Sequence, residues 1–186
     1  MIEYWGYPTE EHSVTTDDGY ILALHRIPNP GGYPVFLGHC LFGTSAVYSF
    51  GPPDKSIAYM LHDAGYDVWM GNTRGNTWSK KHVSLDPCGN CSQFWDFQWE
   101  ITAKMDYPVE IDFVLDYTGF KDLFLVGYSM GTSQYFAMLS DMPEYNDKIK
   151  AGFMMAPSTF RAGYEDTRAY ENWKDFEDNF HRRSKC

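Results

Sequence analysis

Short apolar runs alternate with amphipathic stretches along this chain, and that order predicts an α/β fold built on a mostly parallel sheet. Two observations carry the prediction. Four short, mostly apolar runs, 34–39, 67–71, 122–127 and 151–155, read as strands buried on both faces. Helical patterns separate them, as parallel crossovers require. A ligand site is then expected at the carboxyl ends of the strands.

The elements follow in order. Val14 to Thr16 and Tyr20 to Ile27 read as two strands joined by the turn Asp17-Asp18-Gly19, an antiparallel edge to the sheet. Asn29-Pro30-Gly31-Gly32 is a second turn. Ile57 to Gly65 reads as a helix with Gly65 as its stop. Phe94 to Met105 reads as another. A further helix begins near Pro108, with Asp106 at its N-cap, an apolar face from Val109 to Leu115 and Gly119 as its end. Ser133 to Leu139 is helical.

The 186 residues suffice for one domain or part of one. Apolar residues at 44% and aromatics at 18% exclude a disordered chain. The net charge of −10 disfavours nucleic acid as a partner, because that binding rests on basic surface. No stretch of 18 apolar residues predicts a transmembrane helix. The first residues lack the basic and apolar regions of a signal peptide. The charge is uneven: residues 1–156 hold 9 basic and 19 acidic side chains, and residues 157–186 hold 6 of each.

Cys88-Gly-Asn-Cys91 is a CxxC pair with neither a second pair nor a paired histidine, so no metal site is expected. It reads as a short-loop disulfide or as two free thiols. Asn90-Cys91-Ser92 fits the N-glycosylation tripeptide. No cofactor is implied by any motif.

Gly127-Tyr128-Ser129-Met130-Gly131 is G-x-S-x-G between an apolar strand and a helix, the context of a nucleophile elbow. The two glycines allow a turn too tight for side chains, and Ser129 sits near a helix N-terminus, where developing negative charge is favoured. An acyl-transfer serine also needs oxyanion donors. The backbone N–H of Met130 is one candidate, and that of Leu41, in the loop after the strand 34–38, is the other. His39 lies ahead of the nucleophile at a strand end and reads as a loop-organising residue rather than the base.

Four stretches resemble the acid lipase family of α/β-hydrolases, the gastric and lysosomal acid lipases. They are Tyr4-Trp5-Gly6-Tyr7-Pro8 with Thr16-x-Asp18-Gly19-Tyr20, then Gly38-His39-Cys40-Leu41, then Ala64 to Ser79, and the elbow itself. The family more often has glycine or alanine at Cys40, histidine at Tyr128 and glutamine at Met130. The match runs from about residue 3 to about 158. The resemblance implies the α/β-hydrolase fold and hydrolysis of lipid esters, such as triacylglycerols or steryl esters, by a Ser-Asp-His triad at a lipid–water interface. It also implies a secreted or lysosomal protein. Ser129 carries over as nucleophile, and Leu41 and Met130 as oxyanion donors.

The triad Asp and His do not carry over. In the family they lie further beyond the serine than the 57 residues left here. The tail holds Asp175, Asp178 and His181, but nothing around His181 matches the family's histidine motif. Tyr170, Trp173, Phe176 and Phe180 recur at roughly helical spacing, so 158–186 reads as a divergent tail with an amphipathic helix, and 1–157 as the N-terminal part of a lipase domain. The expectation is a partial or alternatively terminated lipase, incomplete in its last strands and lid, with an exposed apolar sheet edge. The alternative to an active hydrolase is a catalytically silent fragment or lipid-binding remnant. A hydrolase of another class, such as a thioesterase, fits the Gly71 to Ser79 string poorly.

Overall fold

The computed structural model describes residues 1–88 and 91–159. Its centre is a seven-stranded sheet in the order β1-β2-β4-β3-β6-β7, with β5 (Lys81–His82) paired to β2 off this path. β1 (Glu10–Thr15) and β2 (Tyr20–Ile27) form the antiparallel hairpin expected at Asp17-Asp18-Gly19. β2 then pairs antiparallel with β4 (Asp67–Met70). From β4 onward the sheet is parallel through β3 (Pro34–Gly38), β6 (Leu123–Tyr128) and β7 (Ile149–Met155). All five residues of β3 and all four of β4 are buried, as their short apolar runs led one to expect; β7, also expected to be buried at Ala151–Met155, is instead mostly exposed, because it is the end strand of the sheet among the described residues.

Helices cover the two faces. α1 (Ile57–Asp63) buries Ala58 and Tyr59 with Val35, Leu37, Val68 and Met70. On the other face, α4 (Tyr107–Thr118) and α5 (Met130–Asp141) pack Tyr107, Ile111, Val114 and Met138 against Phe36, Trp69, Leu123 and Leu125. Trp69, Phe36 and Tyr107 are among the largest fully buried side chains, and burying their large apolar area stabilises this layer.

The segment before α4 departs from the sequence reading. Residues 94–105 do not form one helix. A short α2 (Cys91–Phe94) ends, the chain turns, and α3 (Trp99–Ile101) runs through a π-helical turn (Thr102–Asp106) directly into α4. Asp106 is therefore helical, not an N-cap, and makes no capping hydrogen bond. The π turn explains how Pro108 is tolerated inside a continuous helical run. The Tyr107 N–H donates to the Thr102 carbonyl, five residues back, and this extra residue takes up the break in the ladder that a proline creates. The carboxylate of Asp106 is thereby freed for another partner.

No helix among the described residues is long and apolar enough to cross a membrane.

Candidate active site

β6 ends at Tyr128 and α5 begins at Met130, so Ser129 alone makes the turn. Its backbone is at φ 52°, ψ −112°, a conformation a residue with a Cβ adopts only when its surroundings force it. Three contacts do so. The Ser129 N–H donates to the Met155 carbonyl at 2.9 Å, tying the turn to β7. The Ser129 carbonyl accepts from the Thr132 N–H at 2.9 Å and from the Thr132 hydroxyl at 2.6 Å. A Cβ on Gly127 would lie 3.0 Å from the Gly131 backbone, and one on Gly131 would overlap the Gly38 carbonyl. Side chains at 127 and 131 are thus excluded by backbone, as the sequence reading required.

The strand register brings the other expected groups beside this turn. Gly38 and Gly127 are partners in the parallel β3–β6 pair, so the loops after the two strands leave the sheet side by side. The β3 loop turns tightly: the Gly43 N–H donates to the Cys40 carbonyl at 2.9 Å, with Phe42 at φ 57°. In a turn of this kind the N–H of its second residue, here Leu41, is not used by the turn hydrogen bond. At the start of α5 the Met130 N–H has no acceptor within the helix. Leu41 is exposed and Met130 half-buried.

His39 occupies the role its position suggested. Its ring is buried, and burial holds its pKa below the ordinary histidine range. Nδ1 lies 2.8 Å from the Cys40 carbonyl and Nε2 lies 3.2 Å from the Thr73 N–H. This network assigns the proton to Nδ1, with Nε2 accepting. The neutral ring therefore stitches the β3 loop to the loop after β4. Among the described residues, His12, His25, His39, His62 and His82 all bond elsewhere, and none hydrogen-bonds the Ser129 hydroxyl. Asp175, Asp178 and His181 lie outside the described residues, as does Asn90. Cys40 and Cys88 are free thiols. Among the described residues, no group of three His, Cys, Asp or Glu side chains is placed to hold a metal ion.

Two tyrosines and an arginine support the site without having been singled out in the sequence. The Tyr48 hydroxyl donates to the Gly38 carbonyl at 2.7 Å, and the Tyr107 hydroxyl to the Gly131 carbonyl at 3.3 Å. Tyr107 also fills the space beside the side-chain-free Gly38. Each bridges an element that shapes the turn. Arg74 is buried and grips two carboxylates. Its Nε and backbone N–H each lie 2.8 Å from Asp106, and Nη2 lies 3.0 Å from Asp18, with the guanidinium 4.0 Å over the Tyr20 ring. Burial pushes the Asp106 carboxyl up to about 6, although Arg74 pulls it down. Asn72 is equally enclosed. Its Oδ1 accepts from the Ser45 N–H at 2.9 Å, its Nδ2 donates to the Ala23 carbonyl at 2.9 Å, and its own N–H donates to Glu110 at 2.9 Å. Glu110 is fully buried with Oε2 lacking a hydrogen bond, and desolvation raises its pKa well above the carboxylate range. A run of buried apolar and buried polar residues looks alike in sequence until its partners are in place, which is why this network was not legible there.

The sheet order, the parallel crossovers and a serine isolated between a strand and a helix are the arrangement of a nucleophile elbow. A family model for the α/β-hydrolase fold matches residues 33–182, and one for a partial α/β-hydrolase lipase region matches residues 1–51. The chain belongs to the α/β-hydrolase family. It is similar to human lipase member K (45% identical over 165 residues, 84% of this chain and 41% of that protein). It is also similar to lipase 1 of Drosophila melanogaster (45% identical, 89% of this chain and 37% of that protein) and to human gastric triacylglycerol lipase (44%, with 84% and 41% covered). The chain spans about two fifths of the length of these relatives. Among solved structures, an esterase of Pyrococcus furiosus aligns with a TM-score of 0.64 at 16% identity, over 87% of this chain and 56% of that one, which shows the fold.

Proposed function

We propose that this chain carries the nucleophile and oxyanion half of a lipid ester hydrolase. Ser129 attacks the ester carbonyl, and the N–H groups of Leu41 and Met130 receive the developing oxyanion. The acyl group passes to Ser129 Oγ and the alcohol leaves; water then releases the acid. A histidine base oriented by an aspartate completes such a reaction, and neither is supplied by the described residues. Triacylglycerols or steryl esters are the substrate class, with a secreted or lysosomal setting and glycosylation at Asn90; the named lipases among the relatives support this reading. The observation that carries it is the backbone of Ser129, held at φ 52° by backbone contacts on both sides.

The test is labelling of the purified 186-residue chain with a fluorophosphonate probe, beside turnover of a short-chain nitrophenyl ester. Both are expected, and both vanish in Ser129→Ala. No labelling of the folded chain overturns activity in this chain and leaves the second reading, a silent or lipid-binding fragment. That reading is favoured by the Ser129 hydroxyl having no histidine partner among the described residues. Oxyanion stabilisation alone retains only a residue of triad catalysis, roughly 10³–10⁴-fold over water.

A further inference from the structure

A cavity of about 440 Å³ opens over β1, β2 and β4. Its lining includes a cross-strand row: Glu11 of β1 pairs with His25 of β2, and His25 pairs with Met70 of β4. Ser45 and Ser49, which follow β3, and Trp78, which follows β4, also line it. β2 stands three strand spacings from β6, about 14 Å, so the cavity lies apart from the turn at Ser129.

The charge in this cavity is one-sided. Three glutamates line it and, among the described residues, no lysine or arginine does. Glu10 is already paired, with Arg26 at 2.8 Å and His12 at 2.9 Å. Among the described residues Glu3 has no ion pair, and Glu11 has only His25, whose Nε2 lies 3.4 Å away. His25 does not offset these carboxylates. Its Nδ1 lies 2.6 Å from the Ser45 hydroxyl and 3.5 Å from the Asn72 amide nitrogen, both donors, which puts the ring proton on Nε2. Burial holds its pKa below the ordinary histidine range, against the pull of Glu11. A second, independent feature is Ser49. It is only 4% exposed, its N–H donates to the Ala46 carbonyl, and its carbonyl accepts from the Tyr59 hydroxyl. Its own hydroxyl has no partner among the described residues. A hydroxyl so enclosed is costly unless something in the cavity bonds it. The remaining wall is apolar: Ile2, Met70 and Trp78, which is 45% exposed.

We propose that this cavity is a binding site for a small primary alkylammonium ion. The ammonium donates to Glu3, Glu11 and the Ser49 hydroxyl, three acceptors for three N–H groups. The carbon arm lies along Ile2 and Met70, and the Trp78 ring adds cation–π attraction. A volume of this size suits a small ligand. An anion is rejected by the same carboxylates.

The experiment titrates the 186-residue chain with hexylammonium, hexan-1-ol and hexanoate, three probes of one length and different charge, by ligand-observed NMR. Hexylammonium is expected to bind, the alcohol several-fold more weakly, and hexanoate not at all, with the cation's affinity falling as salt is added. Glu11→Gln and Trp78→Ala are each expected to weaken hexylammonium several-fold, and Asp116→Asn, at the far end of α4, to leave it unchanged. Met1 also lines the cavity, so its α-ammonium is removed as a competitor by acetylation, after which binding is expected to be equal or tighter. Absence of hexylammonium binding overturns the proposal. So does equal affinity for the alcohol, which would mark a plain apolar cleft, and so does a preference for hexanoate. An equal loss in Asp116→Asn overturns it too, since it would show attraction to net charge alone. Vesicles of phosphatidylcholine doped with phosphatidylethanolamine present the same ammonium on a lipid. Retention on them that Glu11→Gln abolishes supports a headgroup as its source, and hexylammonium binding without retention supports a free amine. None of these outcomes depends on Ser129 chemistry.

Discussion

The turn at Ser129 and the loop after β4 flank the same site and are held by different physics. The turn is held by shape. Gly127, Gly131 and Gly38 bring three backbone segments into contact, and the nearest side chains that brace them, Tyr48 and Tyr107, use neutral hydroxyls. The loop is held by buried charge and polar satisfaction. Arg74 binds Asp106 and Asp18, and Asn72 is saturated by Ser45, Ala23 and Glu110. The comparison teaches where each device belongs. A nucleophile needs a clear, fixed geometry with little competing charge, and the excluded volume of backbone supplies it. A long irregular loop buries many polar groups, and each must find a partner or the loop does not stay buried.

The largest expected effect lies in the loop. Arg74→Ala leaves Asp106 buried without its cation, and the cost is about 3–5 kcal/mol, read as a lower urea midpoint at pH 7.5. The loss shrinks on acidification, because Asp106, with its carboxyl already pushed up to about 6, takes a proton and sheds the unpaired charge. A loss that is small and independent of pH would show that the loop is held by packing instead, and the contrast with the turn would fail.

Next comes the turn. Gly131→Ala drives a Cβ into the Gly38 carbonyl, and the strain of overpacking is expected to cost about 1–3 kcal/mol. Unlike the loop variant, its loss of stability is expected to be the same at pH 5.5 and 7.5. A pH-dependent loss would mean that the turn also leans on a titrating group.

The smallest effect, read per pH unit, tests the buried acid Glu110. The folded state keeps the Glu110 proton well above pH 4.5, where the unfolded chain gives it up. The folded state therefore binds more protons above that pH, and stability from this group falls as pH rises, by up to about 1.4 kcal/mol per pH unit. Glu110→Gln removes that slope and is expected to lose less stability than the parent chain between pH 5 and pH 8 in matched urea titrations. Equal slopes would mean that Glu110 is ionised in the folded protein.

Some of this was legible in the residues. The G-x-S-x-G string, its strand and its helix named Ser129, because a turn that tight needs glycine at both flanks, and glycine is visible in a sequence. The buried parallel strands β3, β4 and most of β6 were visible as short apolar runs, and the Asp17-Asp18-Gly19 hairpin as a turn signal, but the run at 151–155, expected to be buried, is a mostly exposed strand at the sheet's end. The helix reading failed at Phe94 to Met105, where helical propensity was right for most residues but the continuity was not. Trp95 to Gln98 break the run, and the π turn that lets Pro108 pass is a hydrogen-bond shift with no sequence mark of its own. Asp106 shows the same limit: a capping residue type before a proline suits an N-cap, and only the position of Arg74 makes it the counter-ion of a buried guanidinium.

The sequence by itself determined the order of strands and helices, the family, and the serine between them, since each depends on neighbours close along the chain. The tertiary structure alone decided which carboxylates are buried and which carbonyls the two tyrosines hold. Those depend on groups such as Asp18 and Arg74, or Tyr107 and Gly131, that are far apart in the chain and become partners only when the sheet and its helices close around them.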